Sequence, residues 1–407
     1  MDLILKNLTI FQPHTILENG CIAVSGQKIH SVGQSVESPE GGHVMDLKGY
    51  QAVPGYIDTH CHGAAGYDAN DGTMEAIAGM NRFYQQHGVT SYYPSLSVDP
   101  MPKLIQALET IRLAMSHNSH GNIQVLGAHF EGPFINPAYK GAQAPESILA
   151  LTDENFSIVE KFRDVIRRIT LAPEMHQNMK RIKDFVKMNI VVSGGHSGAT
   201  YLDAEQAVKE GMTALTHLYN AMSSTRKNGP FRIPGMLEAG LNIEELYTEI
   251  IADRIHVPDE LMQVAFKCKG PEKIFICSDA NRAAGLKEGE IIYTCGQEVI
   301  IEKGIAMLKD RSSLASSITP LDEMVRKLIF ETGFIPADVI RMATTNTAKM
   351  MHIDDCKGSL QAGMDADINI VDKDFRVVMT IFRGAIGYVN EEMEGVSHLK
   401  KYLHYEA

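Results

Sequence analysis

The chain has 407 residues, 44% of them hydrophobic and 22% charged, with a formal net charge of −12. That length suits one large α/β barrel carrying a smaller appendage, and the composition supports a substantial buried core. The acidic balance argues against nucleic acid or anionic membrane surfaces as partners; an anionic small molecule would have to be held by local cations, backbone amides or helix N-termini.

From the N-terminus, residues 3–11 alternate apolar and polar positions, and residues 20–33 add two short strands broken at Ser25-Gly26. Eight strand candidates then follow at 52–59, 90–97, 123–129, 168–172, 190–194, 214–217, 247–252 and 273–277. Helical patterns at 73–87, 101–116, 175–188, 200–210 and 259–267 come after most of them. Eight strands joined by crossover helices is the count of a (β/α)8 TIM barrel. A hairpin is expected over 290–308, helices near 320–332 and 336–350, and two more strands at 367–372 and 376–382. The strand-rich ends predict a small β-sandwich domain from residues 1–53 plus 355–407, around a barrel domain of residues 54–354.

The six cysteines (Cys21, Cys61, Cys268, Cys277, Cys295, Cys356) are scattered, without a CxxC pair, as expected of reduced intracellular thiols. Asp2 and Lys6 interrupt the apolar run that a signal peptide needs, and no stretch is long enough to span a bilayer. A soluble, cytoplasmic protein is expected.

The informative polar residues fall at strand ends. The first strand ends in Asp58-Thr-His60-Cys-His62, the third in His129-Phe-Glu131-Gly-Pro, and the fifth in Gly195-His196-Ser. The sixth ends in Thr216-His217-Leu-Tyr-Asn220 and the eighth in Ser278-Asp279-Ala. Taken singly, each has a plainer explanation: a half-buried strand histidine, a turn, a helix cap. Together they converge on the C-terminal mouth of a barrel, where this fold places its chemistry. His60 and His62 are two apart on a strand, so their rings share a face and suit a borderline metal. Glu131, His196 and His217 supply a carboxylate and two imidazoles, matching a catalytic zinc with one position left open. Asp279 is placed to take a proton from water and pass it to a leaving amine.

At these residues the sequence resembles the N-acetylglucosamine-6-phosphate deacetylases of the amidohydrolase superfamily. The matching stretches are Val53-Pro-Gly-Tyr-Ile-Asp-Thr-His-Cys-His-Gly63, Gly127-Ala-His-Phe-Glu-Gly-Pro-Phe134, Gly194-Gly-His-Ser197, Leu215-Thr-His-Leu-Tyr-Asn-Ala-Met222 and Cys277-Ser-Asp-Ala280, with a superfamily-wide match at 358–367. The resemblance implies metal-dependent release of acetate from an amino-sugar phosphate, with Glu131, His196 and His217 binding the main ion and Asp279 as general base and acid. His60 and His62 sit where some members bind a second ion, so one or two ions are expected, Zn²⁺ foremost and Fe²⁺ or Mn²⁺ as alternatives. Contacts to sugar and phosphate map onto Asn220, the backbone at Ala221, and His256. A homodimer is implied, with a neighbouring subunit reaching towards the phosphate.

Several departures ring the substrate. Asp253-Arg254-Ile255-His256 stands where relatives have Asp-Gly-x-His, and Leu314-Ala315-Ser316-Ser317 where they have Leu-Ala-Gly-Ser. Gln143 replaces a histidine that touches the sugar in some members. Arg226, Lys227 and Arg232 all compete for the role of phosphate ligand. The rival reading is an N-acetylgalactosamine-6-phosphate deacetylase or another amide hydrolase on the same barrel.

Overall fold

The computed structural model describes residues 2–36, 42–294 and 296–390. Eight parallel strands lie side by side in chain order: Tyr56–Cys61, Val89–Leu96, Ala128–Glu131, Ile166–Leu171, Val191–Gly194, Ala214–Leu215, Tyr247–Ile251 and Ile274–Cys277. They are buried almost throughout, as parallel strands covered on both faces must be. The ring closes where the eighth strand meets the first: His62 N–H donates to the Ala280 carbonyl (2.7 Å) and Asp279 N–H to that of His60 (2.8 Å). The closing seam thus runs between residues expected to carry the chemistry.

A helix follows each strand: Met74–Gln86, Met101–Ser116, Asp153–Lys161, Asn178–Lys187, Tyr201–Glu210, Met236–Asn242, Asp259–Lys269 and Leu321–Phe330. Thr73, Thr152 and Thr200 cap three of them by accepting from backbone N–H groups in the first turn. No helix among the described residues is long and apolar enough to cross a membrane.

The structure corrects the sequence reading at five places. The single apolar run at 52–59 is two strands in two sheets, Gln51–Pro54 and Tyr56–Cys61; the chain crosses at Gly55, where a Cβ would come 2.2 Å from Thr90 Oγ1. The helices Asp153–Lys161 and Met236–Asn242 had no predicted counterpart. The first buries only Phe156 and Val159, and the second contains Gly240, packed so closely that a Cβ there would meet the Leu215 side chain at 2.6 Å. The expected hairpin at 290–308 is a three-stranded meander, Ile291–Thr294, Gln297–Glu302 and Ile305–Leu308, because left-handed Gly296 and Gly304 make two tight turns. The expected helix 336–350 breaks at Thr344 (φ −138°, ψ −84°) into Pro336–Ala343 and Thr345–Met350.

Both chain ends build one eight-stranded sheet. Its path runs from Ala385–Val389 through Val377–Phe382, Ile368–Val371, Gln51–Pro54, Leu3–Phe11 and Ile16–Ser25 to Lys28–Gly33, with His43–Asp46 also pairing with Leu3–Phe11. It has its own core, including Leu3, Leu5, Ile22, Ile368 and Ile381. Buried Lys357 ties it to the barrel, donating to Asp367 (2.5 Å) and to Gln124 Oε1 (2.6 Å). Of the expected small domain, residues 391–407 lie outside the described residues.

Gly63, next to His62 at the closing seam, has no room for a side chain: a Cβ would lie 2.2 Å from Tyr67 O and 2.8 Å from Arg282 N, both backbone atoms. Gly63→Ala is expected to cost about 1–3 kcal/mol through forced backbone shifts. Calorimetry should find its melting midpoint lowered, and a wild-type midpoint would contradict this account of the seam.

Candidate active site

The strand ends deliver their side chains to one mouth by a shared device. His196, His217 and Asp279 each stand two residues beyond the end of a strand (Gly194, Leu215, Cys277), and each is left-handed, with φ of 46°, 34° and 44°. That conformation costs a non-glycine residue about 1–2 kcal/mol and persists only where the surroundings impose it. His60 lies within the first strand, His62 just past it, and Glu131 ends the third.

The result is two donor sets meeting at Glu131, all buried. Glu131 Oε1 lies 3.3 Å from both His196 Nε2 and His217 Nε2, which are 3.1 Å from each other. Beside them, His60 Nε2 and His62 Nε2 are 3.3 Å apart and lie 3.4 and 3.3 Å from Asp279 Oδ1. Glu131 spans the two, with Oε1 3.1 Å from His60 and Oε2 3.2 Å from His62.

The donor set fits a divalent cation. Tetrahedral zinc with ligands at about 2.0–2.1 Å has donor–donor edges of about 3.3–3.4 Å, close to those measured here. Three rings are anchored through Nδ1: His60 on Glu249 Oε1 (2.8 Å), His62 on Ser97 Oγ (2.9 Å) and the Ser95 carbonyl (3.1 Å), His196 on the Tyr139 carbonyl (2.8 Å). Such anchoring fixes the ring and leaves Nε2 facing the site. Asp279 Oδ1 is buried without a hydrogen-bond donor, another mark of a position awaiting a cation.

Charge tells the same story. Burial disfavours a proton on His60, but Glu131, Asp279 and Glu249 outweigh it and push its pKa up to about 10. His62 is likewise raised, against burial, by Asp279 and Glu131. Burial alone would raise Glu131, yet the imidazoles, His60 first, hold it well below the usual carboxylate range. A field that retains protons this firmly also favours a divalent ion in their place.

Beneath the mouth is a polar network that the sequence reading missed. Arg168 and Glu249, both fully buried, form an ion pair across the barrel interior. Glu249 Oε1 accepts from His60 Nδ1 and from the His217 backbone N–H (3.0 Å), so one carboxylate holds a member of each donor set. Arg168 Nε donates to Ser193 Oγ (2.9 Å). His129 stacks edge-on against His60 and bonds Ser95 and Thr170; burial and then Arg168 keep its pKa well below normal. The available signal was a lone acid inside the apolar run Tyr247-Thr-Glu-Ile-Ile251 and, of the two arginines in Ile166–Leu171, the fully buried Arg168.

Above the mouth opens a cleft of about 700 Å³ including its open entrance. Asn220, Ala221, His256, Gln143 and Leu314 all line it, with Ser316 and Thr294. His256 is held by Asp253 (2.7 Å), and Gln143 donates to Glu131 Oε2 (2.8 Å). Arg226, Lys227 and Arg232 are elsewhere, exposed on a hairpin of Arg226–Asn228 and Phe231–Ile233. None of the described residues lining the cleft is a lysine or arginine.

The amidohydrolase family model matches residues 52–387. The chain belongs to the amidohydrolase family. It is 32% identical to the N-acetylglucosamine-6-phosphate deacetylase of Bacillus subtilis (strain 168), over 97% of this chain and 99% of that one. It is 33% identical to the N-acetylgalactosamine-6-phosphate deacetylase of Escherichia coli O157:H7, over 82% and 86%. The crystal structure of N-acetylglucosamine-6-phosphate deacetylase from Pasteurella multocida matches with a TM-score of 0.89 at 30% identity, covering 96% of this chain and 100% of that one. This amidohydrolase is a hydrolase acting on an amide and falls among the deacetylases of the family.

Replacing Glu249 leaves the Arg168 guanidinium buried without its counter-charge. Glu249→Ala is expected to lower unfolding stability by about 3–5 kcal/mol, read as a shifted denaturant midpoint. A change under about 1 kcal/mol would mean that the ion pair contributes little.

Proposed function

We propose that this amidohydrolase removes the acetyl group of N-acetylglucosamine-6-phosphate, giving glucosamine-6-phosphate and acetate in amino-sugar catabolism. The observation that carries this is the pair of donor sets sharing Glu131, with Asp279 beside them at the mouth of the barrel. Glu131, His196 and His217 would hold the main ion; His60 and His62, near Asp279, supply a second position. Imidazole and carboxylate donors suit Zn²⁺, with Fe²⁺ or Mn²⁺ as alternatives. When bound, the ion polarises the acetyl carbonyl and lowers the pKa of water.

Asp279 accepts the proton of the attacking water and delivers it to the departing amine nitrogen. Burial raises the pKa of its carboxyl, but His60 and His62 more than offset this and keep it below normal. Asn220, Ala221, His256 and Leu314 hold the sugar in the cleft. With no lysine or arginine on the described cleft wall, the phosphate needs charge from elsewhere. The exposed hairpin, with Phe231 at 68% exposure beside its turn, has the form of an arm, and in a cytoplasmic homodimer it brings Arg226, Lys227 or Arg232 of the partner subunit to the phosphate.

A second reading, the galacto epimer, is favoured by the Escherichia coli relative and by Ser316 in the cleft wall. Acetate release from the two epimeric N-acetylhexosamine-6-phosphates and their unphosphorylated forms separates the readings. The gluco phosphate should turn over fastest, activity should vanish on chelation and return with Zn²⁺; equal rates on the unphosphorylated sugars would overturn the phosphate assignment. Asp279→Asn should lower kcat by at least about 10²-fold, the scale of a lost general base, while the ion on Glu131, His196 and His217 stays bound. Near-wild-type turnover in that variant would remove Asp279 from the mechanism.

A further inference from the structure

Gln143 lies on the loop between the third barrel strand and its helix, buried at 6% exposure although the cleft is beside it. Its amide Oε1 accepts from the backbone N–H of Val98 (3.0 Å), and its Nε2 donates to Glu131 Oε2 (2.8 Å). A backbone N–H can only donate, so it settles which end of the amide faces which way. The NH₂ end must therefore face Glu131, and Glu131 must accept as a carboxylate.

Packing fixes the amide further. Val98, Ile135 and Ala144 form a small buried cluster of their own, with Ile148 packed against it. The cluster thus holds both Val98, whose N–H fixes the amide oxygen, and Ala144, the residue that follows Gln143 in the chain. Gly132, next to Glu131, comes so close to Val98 that a Cβ would sit 2.7 Å from its Cγ1.

We propose that Gln143 is a positioning residue for the shared carboxylate: by holding Oε2 it sets the plane of Glu131, so that Oε1 is presented to His196 and His217. This rests on the reading of Glu131 as a metal ligand. It assigns Gln143 to the metal rather than to the sugar, and it links the cleft loop to the ion through one amide. Removing an outer partner of a metal ligand typically weakens binding by about 10–100-fold.

The test compares wild type, Gln143→Leu and Gln143→Glu. Leucine keeps the bulk and removes the donor; glutamate keeps an acceptor for Val98 and replaces only the donor facing Glu131. Zn²⁺ affinity is measured by competition with a chromophoric chelator, alongside KM, kcat and the melting midpoint. Both variants should bind Zn²⁺ about 10–100-fold more weakly, with KM at saturating Zn²⁺ little changed; Gln143→Glu, which sets a second buried carboxylate against Glu131, should also lower the melting midpoint. Zn²⁺ affinity within two-fold of wild type in a folded variant, or a raised KM with unchanged affinity, overturns the proposal and returns Gln143 to the sugar. Wild-type protein that binds no divalent ion overturns the metal reading itself, and this proposal with it.

Discussion

Three carboxylates converge on one imidazole in a place that water does not screen. Glu131, Asp279 and Glu249 all lie within 3.4 Å of a ring nitrogen of His60, and all are buried. An uncompensated buried carboxylate costs several kcal/mol, so the mouth of the barrel has to contain positive charge. Arg168 meets that need for Glu249 from inside the barrel. What faces Glu131 and Asp279 is imidazole, plus the neutral amide of Gln143. Protons on His60 and His62 can supply the charge, but they occupy the Nε2 positions that the ring anchoring has turned inward. A divalent cation supplies it and uses those lone pairs.

The same constraint explains where backbone strain is tolerated. Three side chains of the candidate site follow their strands by two residues and take left-handed conformations, a placement that a longer or shorter strand would undo. Each strained residue is then fixed by what surrounds it: Asp279 by the seam with the first strand, His217 by its N–H on Glu249, His196 by its ring on Tyr139. Barrel closure and site assembly are therefore one event, because the bonds that close the ring come from His62 and Asp279 themselves.

Much of this was legible in the sequence, for a physical reason. Parallel barrel strands are apolar runs, and a polar residue at the end of such a run stands out; His60, His62, Glu131, His196, His217 and Asp279 were visible that way, and the structure brings them together. Pairings across the barrel were not visible. Arg168 and Glu249 are 81 positions apart, and nothing local to either says that it has a partner. Gln143 sits in a loop whose path depends on the Val98 cluster, so its contact with Glu131 could not be read from spacing. Period-based reading failed where one apolar run served two sheets, at 51–61, and where a helix shows water more than it shows the core, at 153–161. Arg226 and Lys227 were legible as cations but not as residents of an exposed hairpin, since three-residue strands carry no periodic signal.

The two positions at which the resemblance implies a glycine, Arg254 and Ser316, have different consequences. Arg254 and Ser316 both keep left-handed backbones, at φ 68° and 58°, so the turns survive the loss of glycine at a cost of about 1–2 kcal/mol each. The Arg254 side chain is taken up by Asp259, at 2.8 and 2.7 Å, and by Glu331; those ion pairs offset the strain and lead the guanidinium to other acids rather than to the cleft wall. Ser316 lines the cleft. It adds a hydroxyl, able to donate or accept, where a glycine would offer only backbone. Gluco and galacto sugars differ in the orientation of one hydroxyl, and sites that discriminate strongly do so by pairing a polar group with a substrate hydroxyl. Of the two changes, then, only Ser316 stands where it can alter which epimer is preferred, while Arg254 is accounted for by the acids it binds.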